Sequence, residues 1–190
     1  MSKTTLDIDK LLQNWPGPID PGQHTVVSFD KIDEPNGWLS NMSRHPLRVP
    51  REPGGILYPT AEHYFQCERY TDTAIRNEIR AVASPMSCKM KAKTFRKHQV
   101  ITPRTSEDLD LMRKVLRLKL ENHPALKEKL LALPAEAVII EDATRRHGES
   151  AGFWGMRLQN GIWSGENWLG RLWMELRLEL EKTPAHTTSN

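Results

Sequence analysis

Apolar residues recur every three or four positions in several stretches, which is the spacing of a buried helix face. The longest stretch starts after Thr105 or Ser106, which are typical N-cap residues, and we expect its helix to be scaffold. A second long helix follows Asn167 and ends before Pro184. The apolar stripes of these two helices are Leu109, Met112, Leu116 and Leu120, and Leu169, Leu172, Trp173, Leu176 and Leu180. Shorter helices are predicted over residues 5–14, with Leu6, Leu11 and Leu12 apolar, over 72–82 and 85–95, and from Pro124 onward.

Short runs rich in β-branched and apolar residues predict strands between these helices. They cover residues 25–31, 46–49, 56–58 and 137–143, and a turn-rich loop between 49 and 56 is expected to be exposed. Few strands among many helices indicate an α+β fold that is mostly helical with a small β-sheet. We predict residues 1–24 as an appendage and linker, 25–182 as a single domain and 183–190 as a disordered tail.

The stretch from Pro59 to Tyr70 predicts a helix that carries chemistry. Thr60 can cap a helix starting at Ala61, and Glu62, Gln66 and Arg69 then fall on one stripe. One interpretation is a catalytic Glu62. The other is an ion-paired helix face in solvent, since a glutamate in a first turn is favoured by the helix dipole.

Two Gly- and Trp-bearing segments are predicted to be functional loops. Residues 36–41 combine an Asn-Gly turn with Trp38, Ser40 and Asn41. Residues 144–170 lack a regular period, and the amides near Gly165 and Asn167 are candidates for a diphosphate site, with Arg171 or Arg157 adding charge. Trp38 and Trp154 can stack on a base, although indoles in a small domain commonly belong to the core.

Composition places the chain among globular proteins and excludes several site types. No apolar run is long enough to cross a bilayer and the N-terminus lacks a signal-peptide pattern, so we expect a cytoplasmic protein. The two cysteines, Cys67 and Cys88, fit buried hydrophobes better than metal ligands, a disulfide or a nucleophile. The sequence shows no catalytic triad, zinc motif or dinucleotide fingerprint, and we predict no metal and no cofactor.

Positive charge is concentrated in residues 76–104, where eight basic residues face one acid, Glu78. This segment carries a net charge of +7, whereas the whole chain carries +3. Such a segment suits an anionic ligand, either a phosphate-bearing small molecule or a nucleic-acid backbone, but also an ordinary solvated helix face. The basic residues are Arg76, Arg80, Lys89, Lys91, Lys93, Arg96, Lys97 and Arg104.

Several segments, taken in order, together resemble the YbiA-like or NADAR family over about residues 28–180. They are Gly37–Asn41, Tyr58–Gln66, Ser84–Lys89, Met112 with Lys119, Glu141, Phe153–Gly155, and Gly165–Gly170 with Met174 and Arg177. The ordered set is far more specific than any one motif.

The resemblance implies an N-glycosidase, with active-site roles for Glu62, Trp154 and Asn167 and a Schiff-base role for Lys89. The charge of Lys89 suits a phosphate ligand equally well. In the family, some members are linked to ribosylamino-pyrimidine intermediates of riboflavin synthesis and others to removal of ADP-ribose from guanine. We predict the second substrate, keep the first as an alternative, and keep a non-catalytic ADP-ribose or nucleic-acid binding module as a third. The predicted catalytic residues are Glu62 and Lys89, and the predicted substrate-binding residues are Trp38, Ser40, Asn41, His63, Gln66, Trp154, Gly155, Gly165, Asn167 and Gly170.

The chain departs from the family pattern at three places. A lysine common after the family's Glu-His pair is Arg69 here, which stays protonated and cannot act as an amine nucleophile. The tryptophan expected ahead of Met112 is missing, and the acid expected just before Trp154 is displaced to Glu149.

Overall fold

The computed structural model describes residues 7–15, 17–50 and 55–182. Within these ranges the chain forms eight α-helices and six short strands, and the predicted α+β class with a mostly helical content is confirmed. The predictions for Leu6, for the centre of the loop between 49 and 56, and for the tail lie outside the described residues. The helices are α1 (Ile8–Gln13), α2 (Ala61–Glu68), α3 (Thr73–Arg80), α4 (Pro85–Thr94), α5 (Ser106–Asn122), α6 (Pro124–Leu131), α7 (Glu149–Trp154) and α8 (Trp168–Lys182). The strands are β1 (Val26–Phe29), β2 (Leu47–Val49), β3 (Ile56–Tyr58), β4 (Val138–Glu141), β5 (Arg157–Gln159) and β6 (Ile162–Ser164).

The chain divides into two compact units, of which unit 1 contains residues 1–28 and 128–190. Its centre is β4, whose four residues are all buried, as the continuous apolar run of the sequence predicts. Strand β1 pairs with β4, α8 packs on β4, and α1 and α7 pack on α8. The buried Arg177 of α8 donates to the carbonyl oxygens of Pro134 and Ala135, which fixes the chain just before β4.

Unit 2 contains residues 29–127 and is organised around α2. Helices α3, α4 and α5 all pack against α2, and α5 also contacts β2. Strands β2 and β3 form an antiparallel hairpin in which Leu47 lies opposite Tyr58. Because α2 is covered on several sides, seven of its eight residues are buried, polar ones included.

The prediction of one small sheet is wrong in its pairing. The strands form three separate two-stranded sheets, β1 with β4, β2 with β3, and β5 with β6. The third sheet and α7 lie in the segment 144–170, which the sequence pattern predicted to be an irregular loop. Asn160 and Gly161 both have positive φ angles of 50° and 79°, as a tight hairpin turn between β5 and β6 requires. The Asn160-Gly161 pair was the sequence signal that could have predicted this hairpin.

The helices of the described ranges are too short or too polar to span a lipid bilayer.

Candidate active site

The start of α2 is fixed by the predicted cap. The Thr60 hydroxyl oxygen accepts from the amide of His63 at 3.4 Å, so the predicted helix start at Ala61 is confirmed. The His63 ring uses both nitrogens, Nδ1 with Thr60 Oγ1 at 2.8 Å and Nε2 with the carbonyl oxygen of Val82 at 3.0 Å. Since a carbonyl oxygen only accepts, Nε2 carries the proton. Burial lowers the pKa of His63, in keeping with a neutral ring that holds α2 in place.

The predicted stripe on α2 is a continuous chain of hydrogen bonds. Gln66 Nε2 donates to Glu62 Oε1 at 2.9 Å, and Arg69 Nη1 donates to Gln66 Oε1 at 3.3 Å. Beyond Arg69, the guanidinium binds the Asp108 carboxylate through Nε at 2.9 Å and through Nη2 at 2.7 Å to each oxygen. Four side chains from α2 and α5 thus form one network that ends at Glu62.

All members of this network are buried, with exposed fractions of 6% for Glu62, 4% for Gln66, 7% for Arg69 and 0% for Asp108. The interpretation of the stripe as an ion-paired face in solvent is therefore wrong. A buried carboxylate, amide and guanidinium must satisfy one another, since an unpaired charge in such a place is strongly destabilising. Asp108 supplies the negative charge that allows Arg69 to occupy this position.

The loop of residues 37–41 contacts the start of α2 directly. The backbone carbonyl of Asn41 accepts from the amide of Glu62 at 3.0 Å, which brings these two predicted site residues together. The Asn41 side chain is buried, and its Nδ2 lies 3.1 Å from the sulfur of Met112. Among the described residues no donor reaches Asn41 Oδ1, so Asn41 has a buried acceptor in its side chain while its backbone carbonyl binds the start of α2.

A buried lysine of α5 holds this loop. Lys119 Nζ donates to the carbonyl oxygens of Trp38 at 2.5 Å and Ser40 at 2.9 Å, and to Ser43 Oγ at 2.8 Å. The Lys119 side chain has no exposed surface, and this burial lowers its pKa to about 7. The indole of Trp38 is itself 7% exposed, as its core interpretation predicts, and the Ser40 side chain accepts from the Met42 amide.

Lys89 lies on α4, directly after the buried Cys88, and is half-buried. Within the described residues it has no carboxylate partner. The positive charge of the same helix is partly neutralised, because Lys91 pairs with Glu78 at 2.7 Å. Both cysteines are buried and unpaired with each other, and burial raises the pKa of Cys67 to about 12, which argues against a thiolate nucleophile.

In unit 1, the predicted glycines serve close backbone packing. A Cβ on Gly155, Gly165 or Gly170 would collide with a backbone carbonyl oxygen, those of Glu141, Gly155 and Ile139 respectively. The close approach that the sequence indicated is therefore present, and the approaching group is the protein's own backbone. Gly165 also has a φ of 149°, a conformation that side chains rarely allow.

The predicted anion site before α8 is already occupied by backbone contacts. Asn167 is fully buried, its Oδ1 accepting from the Glu141 amide at 3.1 Å and its Nδ2 donating to the Ile139 carbonyl at 2.8 Å. The amides of Glu166 and Asn167 donate to the carbonyls of Gly152 and Gly155. Asn167 thus ties the start of α8 to β4, and its substrate-binding role stays a prediction.

The two arginines near this segment also have protein partners. Arg171 stacks on Trp168 with its guanidinium carbon 3.7 Å from the ring centroid, and Arg157 donates to the carbonyls of Arg146 and Gly148. Trp154 is half-buried at the end of α7 and lies edge-on to Phe153 at 5.0 Å. Its predicted role in stacking on a base stays a prediction.

Two buried charged residues of α5, Asp108 and Lys119, were not predicted from their chemistry. No site role was predicted for Asp108, and Lys119 entered only through the family resemblance. Both lie on the apolar stripe of α5, at four residues before and seven residues after Met112. A charged residue on a buried stripe requires a partner, and that rule would have identified both.

The chain matches one domain family and is similar to several known proteins. Residues 28–181 match the NADAR domain. The chain is 37% identical over 162 residues to N-glycosidase YbiA of Escherichia coli strain K12, and 36% identical to N-glycosidase YbiA of Shigella flexneri, covering 83% of this chain and 90% of each relative. It is 30% identical over 172 residues to the chloroplastic riboflavin biosynthesis protein PYRR of Zea mays, covering 85% of this chain and 26% of that protein.

The structure agrees with these sequence matches. It is similar to the NMR structure of the E. coli protein YbiA, with a TM-score of 0.67 and 34% sequence identity. The superposition covers 87% of this chain and 92% of the E. coli chain. A domain match over most of the chain, relatives above 30% identity and a shared fold point to the same conclusion: the chain belongs to the NADAR family.

Proposed function

We propose that this chain, an N-glycosidase of the NADAR family, removes ADP-ribose from guanine bases in nucleic acid or nucleotides. The enzyme class rests on the family and on the relatives named N-glycosidase YbiA. The choice of substrate is our proposal. The observation that carries cleavage of an N-glycosidic bond furthest is the buried Glu62 carboxylate, whose backbone amide is bound by Asn41, a residue with an unsatisfied side-chain acceptor.

This pair of groups suits the chemistry of N-glycosidic cleavage. As the C1′–N bond breaks, its electron pair leaves with the base and positive charge develops on C1′ of the ribose. A carboxylate held in a buried site stabilises that charge more strongly than one in water. The oxygen of a water molecule then bonds to C1′, and the proton it releases ends on the departing base. In this proposal Glu62 stabilises C1′ or moves that proton, and Asn41 Oδ1 accepts from a ribose hydroxyl.

Lys89 has two proposed roles, which its surroundings support to different degrees. As a Schiff-base nucleophile, its amine would bond to C1′ and displace the base, and water would later release the sugar. As a phosphate ligand, it would need only its charge, and no carboxylate among the described residues neutralises it. Arg69 cannot replace it as a nucleophile, since its guanidinium is bound to Asp108.

The basic segment supports a substrate that includes a nucleic-acid backbone. No acidic residue occurs between Glu78 and Glu107. Lys93, Arg96 and Lys97 are exposed and lack carboxylate partners among the described residues. If this surface binds phosphates, Lys93→Gln and Lys97→Gln should each weaken oligonucleotide binding and lower the slope of log K against log salt by about one. Lys127→Gln, which changes an exposed lysine elsewhere, is the control and should leave the slope unchanged.

One relative favours a second substrate. The maize protein is named for riboflavin biosynthesis, so a ribosylamino-pyrimidine intermediate is the alternative for this chain. Such a substrate is a small anion and would make affinity much less dependent on salt than an oligonucleotide would. A non-catalytic binding module, the remaining alternative, would bind either compound without releasing a free base.

One assay separates these alternatives. The chain is incubated with an ADP-ribosylated guanine oligonucleotide and, separately, with a ribosylamino-pyrimidine phosphate, and the free base is quantified by chromatography. We expect turnover of the first substrate, a loss of at least 100-fold in Glu62→Gln, and unchanged turnover in Glu121→Gln, which alters an exposed carboxylate of α5. Turnover of only the second substrate contradicts the guanine proposal. Full activity of a folded Glu62→Gln variant removes Glu62 from the mechanism.

A further inference from the structure

We infer that Arg69 and Asp108 are positioning residues, which act through Gln66 to fix the orientation of the Glu62 carboxylate. This inference rests on the proposed function for its catalytic consequence. It starts from the direction of each hydrogen bond in the buried chain that joins Asp108 to Glu62.

Several contacts hold the Asp108 end of this series of hydrogen bonds in place. The Asp108 carboxylate accepts three hydrogen bonds from Arg69 and a fourth from the backbone amide of Arg104, at 2.8 Å. The Arg69 guanidinium also lies over the Phe65 ring, 4.2 Å from its centroid. Planar, bidentate contacts of this kind leave the guanidinium little rotational freedom.

The direction of every bond then follows from chemistry. A guanidinium has only donors, so the atom of Gln66 that faces Arg69 must be the amide oxygen. The two ends of an amide are otherwise hard to tell apart, and Arg69 removes that ambiguity. With its oxygen held by Arg69, Gln66 must present its NH₂ group to Glu62 Oε1.

As a result, the two carboxylate oxygens of Glu62 have different surroundings. Oε1 accepts from Gln66 and is fixed in place, whereas Oε2 receives no hydrogen bond from the described residues. Oε2 is therefore the oxygen available to the ribose or to a proton. Catalysis depends on placing such a group within a fraction of an ångström. Loss of the Arg69–Asp108 pair should therefore reduce turnover, although in this inference neither residue contacts the substrate.

Two variants test the hydrogen bonds between Asp108 and Glu62 while keeping the local charge balanced. Arg69→Met combined with Asp108→Asn removes the ion pair as a neutral unit and keeps an acceptor for the Arg104 amide. Gln66→Met has similar length, removes the amide and leaves the ion pair intact. Asp110→Asn, in an exposed pair with Arg113 on the same helix, is the control.

The first measurement does not depend on activity. In ¹H–¹⁵N spectra, the Gln66 side-chain NH₂ of the wild-type chain should exchange with solvent at least tenfold more slowly than in the Arg69→Met/Asp108→Asn variant. Unchanged protection in a folded variant overturns the inference, even if the chain shows no glycosidase activity. Absence of base release by the wild-type chain would instead contradict the proposed function alone.

The second measurement is a double-mutant cycle on base release. Both variants should lower kcat by about tenfold or more with little change in KM, and the triple variant should be no slower than Gln66→Met alone. Asp110→Asn should match the wild type. If the effects multiply in the triple variant, Arg69 and Asp108 do not act through Gln66 and the inference fails. If the ion-pair variant does not fold, wild-type kcat in Gln66→Met is sufficient to overturn it.

Discussion

The buried amine of Lys119 makes the stability of this protein depend on pH in a specific way. Its side chain has no exposed surface and donates to the carbonyls of Trp38 and Ser40 and to the hydroxyl of Ser43. All three acceptors are uncharged, so they only partly replace the hydration that the ammonium loses on burial. Replacing Lys119 by Met keeps the apolar stem and removes the titrating group.

The sign and size of this pH effect on the free energy of unfolding follow from the shift in the pKa of Lys119. Burial lowers the pKa of Lys119 from 10.5 to about 7, while the unfolded chain keeps the ordinary value. Between these two values the unfolded state binds more protons than the folded state, so the free energy of unfolding rises with pH. At about 1.4 kcal/mol per pKa unit, Lys119 should add about 2 kcal/mol to stability between pH 7 and pH 9.

Urea unfolding at pH 7, 8 and 9, followed by circular dichroism, measures this contribution. Subtracting the Lys119→Met values from the wild-type values cancels the titration of all other groups, and the difference should grow by about 2 kcal/mol over this range. Lys127→Met, at an exposed position, should track the wild type. A pH-independent difference between Lys119→Met and the wild type would refute the reasoning, because the amine would then titrate alike in both states.

Three further predictions concern packing, thiol reactivity and covalent chemistry. Gly170→Ala should lower the free energy of unfolding in urea by about 3 kcal/mol, because its Cβ would collide with the Ile139 carbonyl. Gly152→Ala should cost less than about 1 kcal/mol, because its Cβ meets only Arg157 Nη1, at an ordinary contact distance of 3.5 Å. Cys67 should resist alkylation by iodoacetamide in the native protein and react once urea unfolds it, as mass spectrometry would show, since burial raises its pKa to about 12; rapid labelling of folded protein would contradict this. Borohydride reduction during turnover should trap a sugar adduct on Lys89 if a Schiff base forms, and a fully active Lys89→Ala variant without an adduct excludes that role.

Features that depend on local sequence were predictable. The cap at Thr60 and the start of α5 after Thr105 each rest on residues within one or two helical turns. The burial of both cysteines is also confirmed, since small apolar side chains inside a helix commonly face the core.

Features that depend on distant partners were not predictable. Arg69 and Asp108 are separated by 39 residues, and Lys119 lies 81 residues from the carbonyl it binds at Trp38. The pattern on α2 placed Glu62, Gln66 and Arg69 on one stripe, but only tertiary packing decides whether such a stripe faces solvent or a neighbouring helix. The prediction of strand pairing was wrong for the same reason, because the sequence of a short strand does not specify which strand it pairs with.

The replacement of a family lysine by Arg69 narrows the covalent chemistry open to this chain. Arginine stays protonated, and here its guanidinium is held by both oxygens of Asp108, so no nucleophilic amine exists at that position. Lys119 has an amine with a pKa near 7, but that amine is enclosed and hydrogen-bonded to three acceptors. Of the two predicted catalytic residues, Glu62 and Lys89, only Lys89 has an amine that could form a Schiff base. Direct attack by water, assisted by a fixed Glu62 carboxylate, needs no amine at all. Our inference that Arg69 and Asp108 fix the Glu62 carboxylate through Gln66 is an argument for the second route, because Arg69 then supports the carboxylate in place of supplying a nucleophile.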